Sequence, residues 1–513
     1  MISSVRTRRY GTLRALTAGL LFFGAAGAAT AVPAYAAASC AGAGMTDFDG
    51  DGIKDVAIAD PLATVSGQAK AGLVRISYGG GGVAEISQSA TNVADAAEAG
   101  DQFGYALSVY DADKDGCSDL AVGIPYEDVG DVVDAGYVQI VYGSVDGLGK
   151  GRASSGFVQG TNLGSSSAEH GDMLGYSLTS GLSATSVPFL VIGVPGEDYQ
   201  GVVDMGMIHY VAGATFSSVS NVTQDSPGVW EDAEAYDRFG ASLAGTDRRF
   251  AVGVPGESRE SVTQAGGLHV FVPSINTDGI PLPLFGMGQV RTGSGDEVGE
   301  TGDQYGFSLA MAPYRPAGAA TVSDVMLAVG VPYEDLGETE DAGAVQLYQI
   351  KADHTVVQTQ WLDRNTAGVA GDAAAGDFFG QRLAAVNTAT NVVSTAAGMR
   401  LAVGVPGDEA DAQRKDEGGV QLFSMLGDPG ASDSWISPGN GIPSAGAPRM
   451  FTGLSLAAAP DALYVGIPYG PAEGRAVYAF PWNTADGGAP VRTWKPGQGG
   501  LPAAAAAFGM AVR

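Results

Sequence analysis

Two short stretches gather the residues best suited to inorganic chemistry. They read Asp47-Phe48-Asp49-Gly50-Asp51-Gly52-Ile53-Lys54-Asp55 and Asp111-Ala112-Asp113-Lys114-Asp115-Gly116-Cys117-Ser118-Asp119. Both place carboxylates at loop positions 1, 3, 5 and 9 and glycine at position 6. Alternate residues of a tightly curled loop point inward, and a hard divalent cation takes six or more oxygens at about 2.4 Å. Glycine at position 6 allows the sharp turn that lets the carbonyl of the next residue join them. The candidate ligands are therefore Asp47, Asp49, Asp51, Ile53 and Asp55 in the first loop, and Asp111, Asp113, Asp115, Cys117 and Asp119 in the second. Two sites for a hard divalent cation are the chemistry this pattern predicts. A merely solvated acidic turn is the plainer alternative, but it gives no reason for the same spacing to occur twice.

Catalytic constellations are scarcer. His170, His209, His269 and His354 are the only histidines. His209 and His269 fall in similar strand contexts, where packing is expected rather than general-base work. The Gly175-Tyr176-Ser177 and Gly306-Phe307-Ser308 triplets lie inside strand patterns and do not form a nucleophile elbow. Paired acids of the glycosidase kind remain open, because carboxylates crowd many loops.

What positions the two loops is a repeat. An aromatic or apolar residue plus Gly opens a short strand at Phe103-Gly104, Leu174-Gly175, Phe239-Gly240, Tyr305-Gly306, Phe379-Gly380, Thr452-Gly453 and Phe508-Gly509. An apolar run ending in Gly-x-Pro follows at Pro125, Pro195, Pro255, Pro332, Pro406 and Pro468, with Ala59-Asp60-Pro61 as a degenerate member. A Gly and then alternating apolar residues form the third signature, as in Gly72 to Tyr78 and Gly136 to Tyr142. Three recognisable strands and a variable fourth, repeated seven times, predict an all-β, seven-bladed β-propeller with four-stranded blades. The chain opens on a second strand, Asp55–Ala59, and closes on an aromatic-Gly strand, Phe508–Val512. These halves are expected to share one blade, the C-terminal strand joining the N-terminal sheet and removing an exposed edge.

The aromatic-Gly and Gly-x-Pro motifs with their Asp-rich hairpins resemble FG-GAP repeats, the propeller units of integrin α-chain heads. The resemblance spans nearly the whole chain after residue 36. It implies Ca²⁺ in the hairpin between the first and second strands of some blades. Ala184-Thr185-Ser186, Gly245-Thr246-Asp247 and the stretches before Val325 and Leu401 lack the Asp series, so blades three to seven are expected to hold no ion there. Adjacent blades would bring Cys40, seven residues before the first loop, close to Cys117 in the second, and a disulfide between them is expected. On the opposite face, in blades two to six, acids follow the Pro (Glu127, Asp128, Glu197, Asp198, Glu257, Glu334, Asp335, Asp408, Glu409) and precede the aromatic-Gly (Glu98, Asp101, Glu169, Asp172, Glu234, Asp237, Glu300, Asp303, Asp377), while Lys70 and Arg475 break the belt in blades one and seven. This belt reads either as copied loop chemistry or as a docking surface for a basic partner, with Glu127, Glu197 and Glu334 as its test positions.

Residues 1–36 read as a secretory signal peptide: Arg6, Arg8, Arg9 and Arg14, an apolar stretch over 15–31, and Ala34-Tyr35-Ala36 as the cleavage pattern. Residues 37–513 then form a single propeller domain. No later run of about 18 apolar residues predicts a membrane span. The formal charge of −29 becomes four units more negative without the leader, which disfavours nucleic acid and anionic lipid and suits cations or basic partners. The expected function is that of a secreted, monomeric calcium-binding module for extracellular binding or adhesion, recognising a protein or glycan. A propeller enzyme acting on polysaccharide, lyase or hydrolase, and a sugar-binding lectin are the alternatives.

Overall fold

The computed structural model describes Cys40 and residues 46–259, 261–289 and 299–513. The predicted leader and its cleavage pattern lie outside the described residues. Alternating apolar residues flanked by Gly and Pro form short antiparallel strands, and these assemble into seven sheets arranged in a ring, a β-propeller. The second blade shows the pattern: Ala106–Tyr110, Asp119–Ile124, Tyr137–Val141 and Ser155–Phe157, each hydrogen-bonded to the next. The sixth blade extends this pattern, with Gly441–Ile442 pairing parallel to its fourth strand Ser434–Pro438.

Ring closure follows the expected route. The first blade contributes only Val56–Asp60, Leu73–Ser77 and Val83–Ile86 from the start of the chain. Its remaining strand is the far end of the chain: Ala57 N–H donates to Arg513 O at 2.8 Å, Ala59 N–H to Ala511 O at 2.9 Å, and Gly509 N–H to Ala59 O at 2.9 Å.

The core is divided into seven wedges, one between each pair of adjacent blades. Period-two alternation makes this possible. Ala57 and Ala59 face the second blade, while Val56 and Ile58 face the seventh and pack with Tyr464, Val477, Trp494 and Val512. That seventh wedge exists only because the ring is closed.

The signature glycines sit where blades meet. A Cβ on Gly123 would fall inside the van der Waals shell of the Gly175 carbonyl oxygen, so the Gly-x-Pro glycine of one blade receives the backbone of the next. Beside that contact the residue ahead of the second glycine bonds backward across the seam: Leu174 N–H donates to Ala135 O at 3.0 Å and Phe239 N–H to Met205 O at 3.0 Å. The close approach requires a bare Cα.

Candidate metal centre

The second Asp-rich loop joins the first and second strands of its blade, Ala106–Tyr110 and Asp119–Ile124, and the first leads into Val56–Asp60, whose first-strand partner is the far end of the chain. Each is held by the same set of Asx bonds. In the first loop Asp47 Oδ2 accepts the N–H of Gly52 at 2.9 Å, Asp49 Oδ1 that of Asp51 at 3.2 Å, and Asp51 Oδ1 that of Ile53 at 2.7 Å. In the second, Asp111 Oδ2 accepts from Gly116 at 3.2 Å, Asp113 Oδ1 from Asp115 at 3.2 Å, and Asp115 Oδ1 from Cys117 at 2.8 Å. These bonds curl the backbone and leave one oxygen of each leading aspartate without a partner: Asp47 Oδ1 and Asp111 Oδ1 are both buried and accept nothing. A buried, unpaired carboxylate oxygen is costly unless a cation meets it.

The structure gathers Asp47, Asp49 and Asp55 at one hairpin and Asp111, Asp113 and Asp115 at the other, each group with ligand atoms within 4.8 Å of one another. Asp51 and Asp119 stand outside these triads. Ile53 is exposed, and Cys117 is buried.

The aspartate at position 9 has a role that spacing alone does not reveal. Asp55 takes the N–H of Phe48 at 2.7 Å and that of Gly79 at 2.8 Å; Asp119 takes those of Ala112 at 2.7 Å and Gly143 at 2.9 Å. It thus ties the start of its own hairpin to the exit of the third strand. Burial pushes the Asp55 carboxyl up to about 6 and that of Asp119 up to about 8, against the opposing pull of those backbone bonds, and neighbouring loop aspartates add to the rise. Burial likewise raises Asp49, Asp111 and Asp115. A cation in either hairpin would reverse this, favouring the ionised carboxylates. The donor set, hard oxygens with two orphaned buried atoms, fits calcium.

The loops are not identical. In the second, the exposed Arg152 reaches Asp113 Oδ2 at 2.9 Å, with its guanidinium 3.9 Å over the Tyr142 ring. Among the described residues the first loop has no such cation in its triad; Lys54 instead pairs with Asp461 on the neighbouring blade, at the surface.

The expected disulfide is present. Cys40 and Cys117 are bonded, 4.9 Å apart at Cα and 77 residues apart in sequence. Cys40 lies against Gly50 of the first loop, while Cys117 is part of the second, so the bridge fastens one hairpin to the other.

The opposite face corrects the reading of the acidic belt. Glu127, Glu197, Glu257 and Glu334 do not face solvent; all are buried, as are Asp101, Asp172, Asp237, Asp303 and Asp377. Each Glu accepts a bond from a glutamine two residues past the fourth strand of the preceding blade: Gln88 at 2.6 Å, Gln159 at 2.5 Å, Gln224 at 2.5 Å and Gln289 at 2.6 Å. Each Asp accepts the N–H of the residue three before it, as Asp172 does from Glu169 at 2.6 Å. The belt's inner members are therefore seam residues, and charge patterning could not separate them from the exposed Asp128, Asp198, Glu98, Glu169, Glu234 and Glu300. The recurrent glutamines were the available signal.

His209 and His269 are buried in the third strands, His209 Nδ1 lying 3.0 Å from Asn221 Oδ1 and His269 edge-on to Phe239 at 5.4 Å. Packing, as expected, is their role.

No curated protein matches the chain. Among solved structures, the periplasmic gluconolactonase PpgL of Pseudomonas aeruginosa is similar at 12% identity and a TM-score of 0.40, over 88% of this chain and 97% of that one. Residues 103–141 match the family model described as FG-GAP repeat. That span runs from the Phe103-Gly104 opening through the second Asp-rich hairpin to the end of the third strand, so the second blade is an FG-GAP repeat, set in a seven-bladed β-propeller whose other blades repeat its architecture.

Proposed function

We propose that this chain is a secreted, calcium-stabilised propeller that acts as an extracellular binding module. The observation that carries the reading is the pair of matched hairpins, each with a buried, unpartnered aspartate oxygen inside a carboxylate triad. Calcium would be held by Asp47, Asp49 and Asp55 in the first, with Asp51 and the Ile53 carbonyl as further donors. In the second it would be held by Asp111, Asp113 and Asp115, with the Cys117 carbonyl. Its contribution is structural: it neutralises packed carboxylates and stiffens one face of the ring.

The recognition surface is the other face. There the loops after the Gly-x-Pro strands fold into small hairpins closed by the bridges Val129–Val132, Tyr199–Val202 and Leu336–Thr339. Their neighbourhood exposes Val133, Tyr199, Val203 and Tyr236, the last at 54%. Apolar tips rimmed by Asp128, Asp198, Glu98, Glu169 and Glu234 suit a protein partner with a basic patch. The disulfide fits an oxidising, extracellular setting. No helix among the described residues is long and apolar enough to cross a membrane.

Retention of extracellular proteins and glycans on the immobilised chain, with calcium and with chelator, tests the proposal. The expected partner is lost at high salt and on Asp128→Asn with Asp198→Asn and Glu169→Gln. Binding indifferent to salt and to those substitutions contradicts the docking face; turnover of a polysaccharide contradicts the binding role.

A further inference from the structure

The buried Glu–Asp pairs at the blade seams are short of positive charge. At the seam between the second and third blades, Glu197 Oε2 accepts from Gln159 Nε2 at 2.5 Å and Glu197 Oε1 from Ser166 Oγ at 2.7 Å. Asp172 stands within electrostatic reach of Glu197, its Oδ2 taken by the Glu169 N–H and its Oδ1 buried with no partner. Gln159 Oε1, on the amide already engaged with Glu197, is likewise buried and unpartnered. The next seam repeats the arrangement with Glu257, Asp237 and Gln224: Asp237 Oδ1 and Gln224 Oε1 have no partner. The preceding one has Glu127, Asp101 and Gln88, with Gln88 Oε1 orphaned. The carboxylates and glutamines of these seams are all at most 3% exposed. Each seam thus holds more buried oxygen acceptors than the donors that reach it and, among the described residues, no cationic side chain.

The sixth blade shows what completes such a set. Two residues past the fourth strand of the fifth blade, where the four preceding seams carry Gln, stands Arg364. Its Nη1 bonds Asp377 Oδ2 at 3.0 Å and Asp408 Oδ1 at 2.5 Å. Asp377 occupies the place of Asp101, Asp172 and Asp237, and Asp408 the place of Glu127, Glu197 and Glu257, one methylene shorter. The same carboxylate pair, at an equivalent point of the ring, therefore holds a positive charge supplied by the chain itself.

We propose that the seams closed by Glu127, Glu197 and Glu257 are interior cation sites for a hard, oxygen-seeking ion of the calcium class, and that Arg364 is the built-in occupant of the equivalent site in the sixth blade. Each site offers two carboxylates and one amide oxygen, with water to complete the shell. An entry path exists at the first of them. A cavity of about 280 Å³ lined by Asp95, Glu98, Glu127, Asp128 and Tyr137 leads to the Glu127 carboxylate. This goes beyond the hairpin sites: it places ions at the opposite face, where they would pin one blade to the next beneath the recognition loops.

The test uses the full, disulfide-bonded chain and calcium as the probe, counted by equilibrium dialysis at about 1 mM, the working range of extracellular modules. Asp47→Asn combined with Asp111→Asn silences the hairpins; the difference from wild type reports them alone. That double variant is expected to retain three bound calcium ions per chain, and Glu127→Gln, Glu197→Gln and Glu257→Gln each to remove one. Should a Glu→Gln variant fold poorly, Gln159→Arg with Glu197→Asp rebuilds the sixth-blade arrangement. It is expected to lower the count by one while raising the melting temperature in chelator. A hairpin double variant that binds no calcium overturns the proposal, whatever the hairpins do. So does a melting temperature that responds to pH but not to calcium in that variant, because a shared proton then fills the seams.

Discussion

The main-chain carbonyl of Asp47 accepts the N–H of Ser118 at 3.0 Å, so the first residue of one Asp-rich hairpin is bonded to the residue beside Cys117 in the other. The Phe48 carbonyl takes the Ser144 N–H at 3.0 Å in the same way, and the Cys40–Cys117 bridge spans the pair. The two candidate calcium loops are therefore one mechanical unit across a blade seam, and ligation in one should be felt in the other.

That coupling is measurable. Asp47→Asn and Asp111→Asn should each lower the melting temperature in calcium, and the double variant should lose less than the sum. A double-mutant cycle is expected to return an interaction of about 0.5–1 kcal/mol, the size typical of residues sharing a network. Strict additivity would show that the hairpins act independently.

Removing the disulfide by Cys40→Ser with Cys117→Ser should cost about 2–4 kcal/mol of stability, the usual value for a bridge that closes a long loop. It should also weaken calcium binding, since Cys40 backs Gly50 and Cys117 belongs to the second loop. Denaturant melts in calcium and in chelator check both; an unchanged calcium response would separate the bridge from the sites.

Acid should attack the third and fourth blades through their buried histidines. Burial pulls His209 down to about 4 and His269 to about 3, so both stay neutral in the fold. Between an unfolded value near 6.5 and the folded value, the unfolded chain binds more protons. Stability from these groups is thus whole above about pH 6.5 and falls as the pH drops toward 4. The equivalent third-strand position is Gln in the second, fifth and sixth blades, at Gln139, Gln346 and Gln421. His209→Gln should therefore be tolerated and should remove up to about 3 kcal/mol of the loss between pH 6.5 and 4. Identical wild-type and variant stability profiles would refute the assignment.

Arg364→Met should be among the most damaging single changes. It strands Asp377 and Asp408 beside each other at a seam where Arg364 and Asp377 are 7% and 2% exposed. Loss of one partner from a buried ion network costs about 3–5 kcal/mol. A loss below about 1 kcal/mol at neutral pH would show that the pair relaxes into water.

Much of this was readable in the residues because it is periodic. Phe-Gly and Gly-x-Pro mark places where backbones of adjacent blades touch, so Gly123 and Gly175 announce a seam before any strand is placed. The split first blade followed from Asp55–Ala59 lacking a first strand and Phe508–Val512 lacking a second. The acidic belt was another matter. Glu127 and Asp128 are adjacent and chemically alike, yet one is buried against Gln88 and the other exposed. Which of them points into the seam depends on the register of the loop, which composition does not encode. Asp55 and Asp119 were legible as loop acids, but their second bonds, to Gly79 and Gly143, join segments 24 residues apart and appear only when the third strand is in place.

The account rests on calcium in the two hairpins, and calorimetric calcium titration of the wild type beside the Asp47→Asn, Asp111→Asn variant tests it most directly. The prediction is a difference of two bound ions per chain, with a higher melting temperature in the calcium-loaded wild type. Equal stoichiometry in the two proteins, both folded, would contradict it.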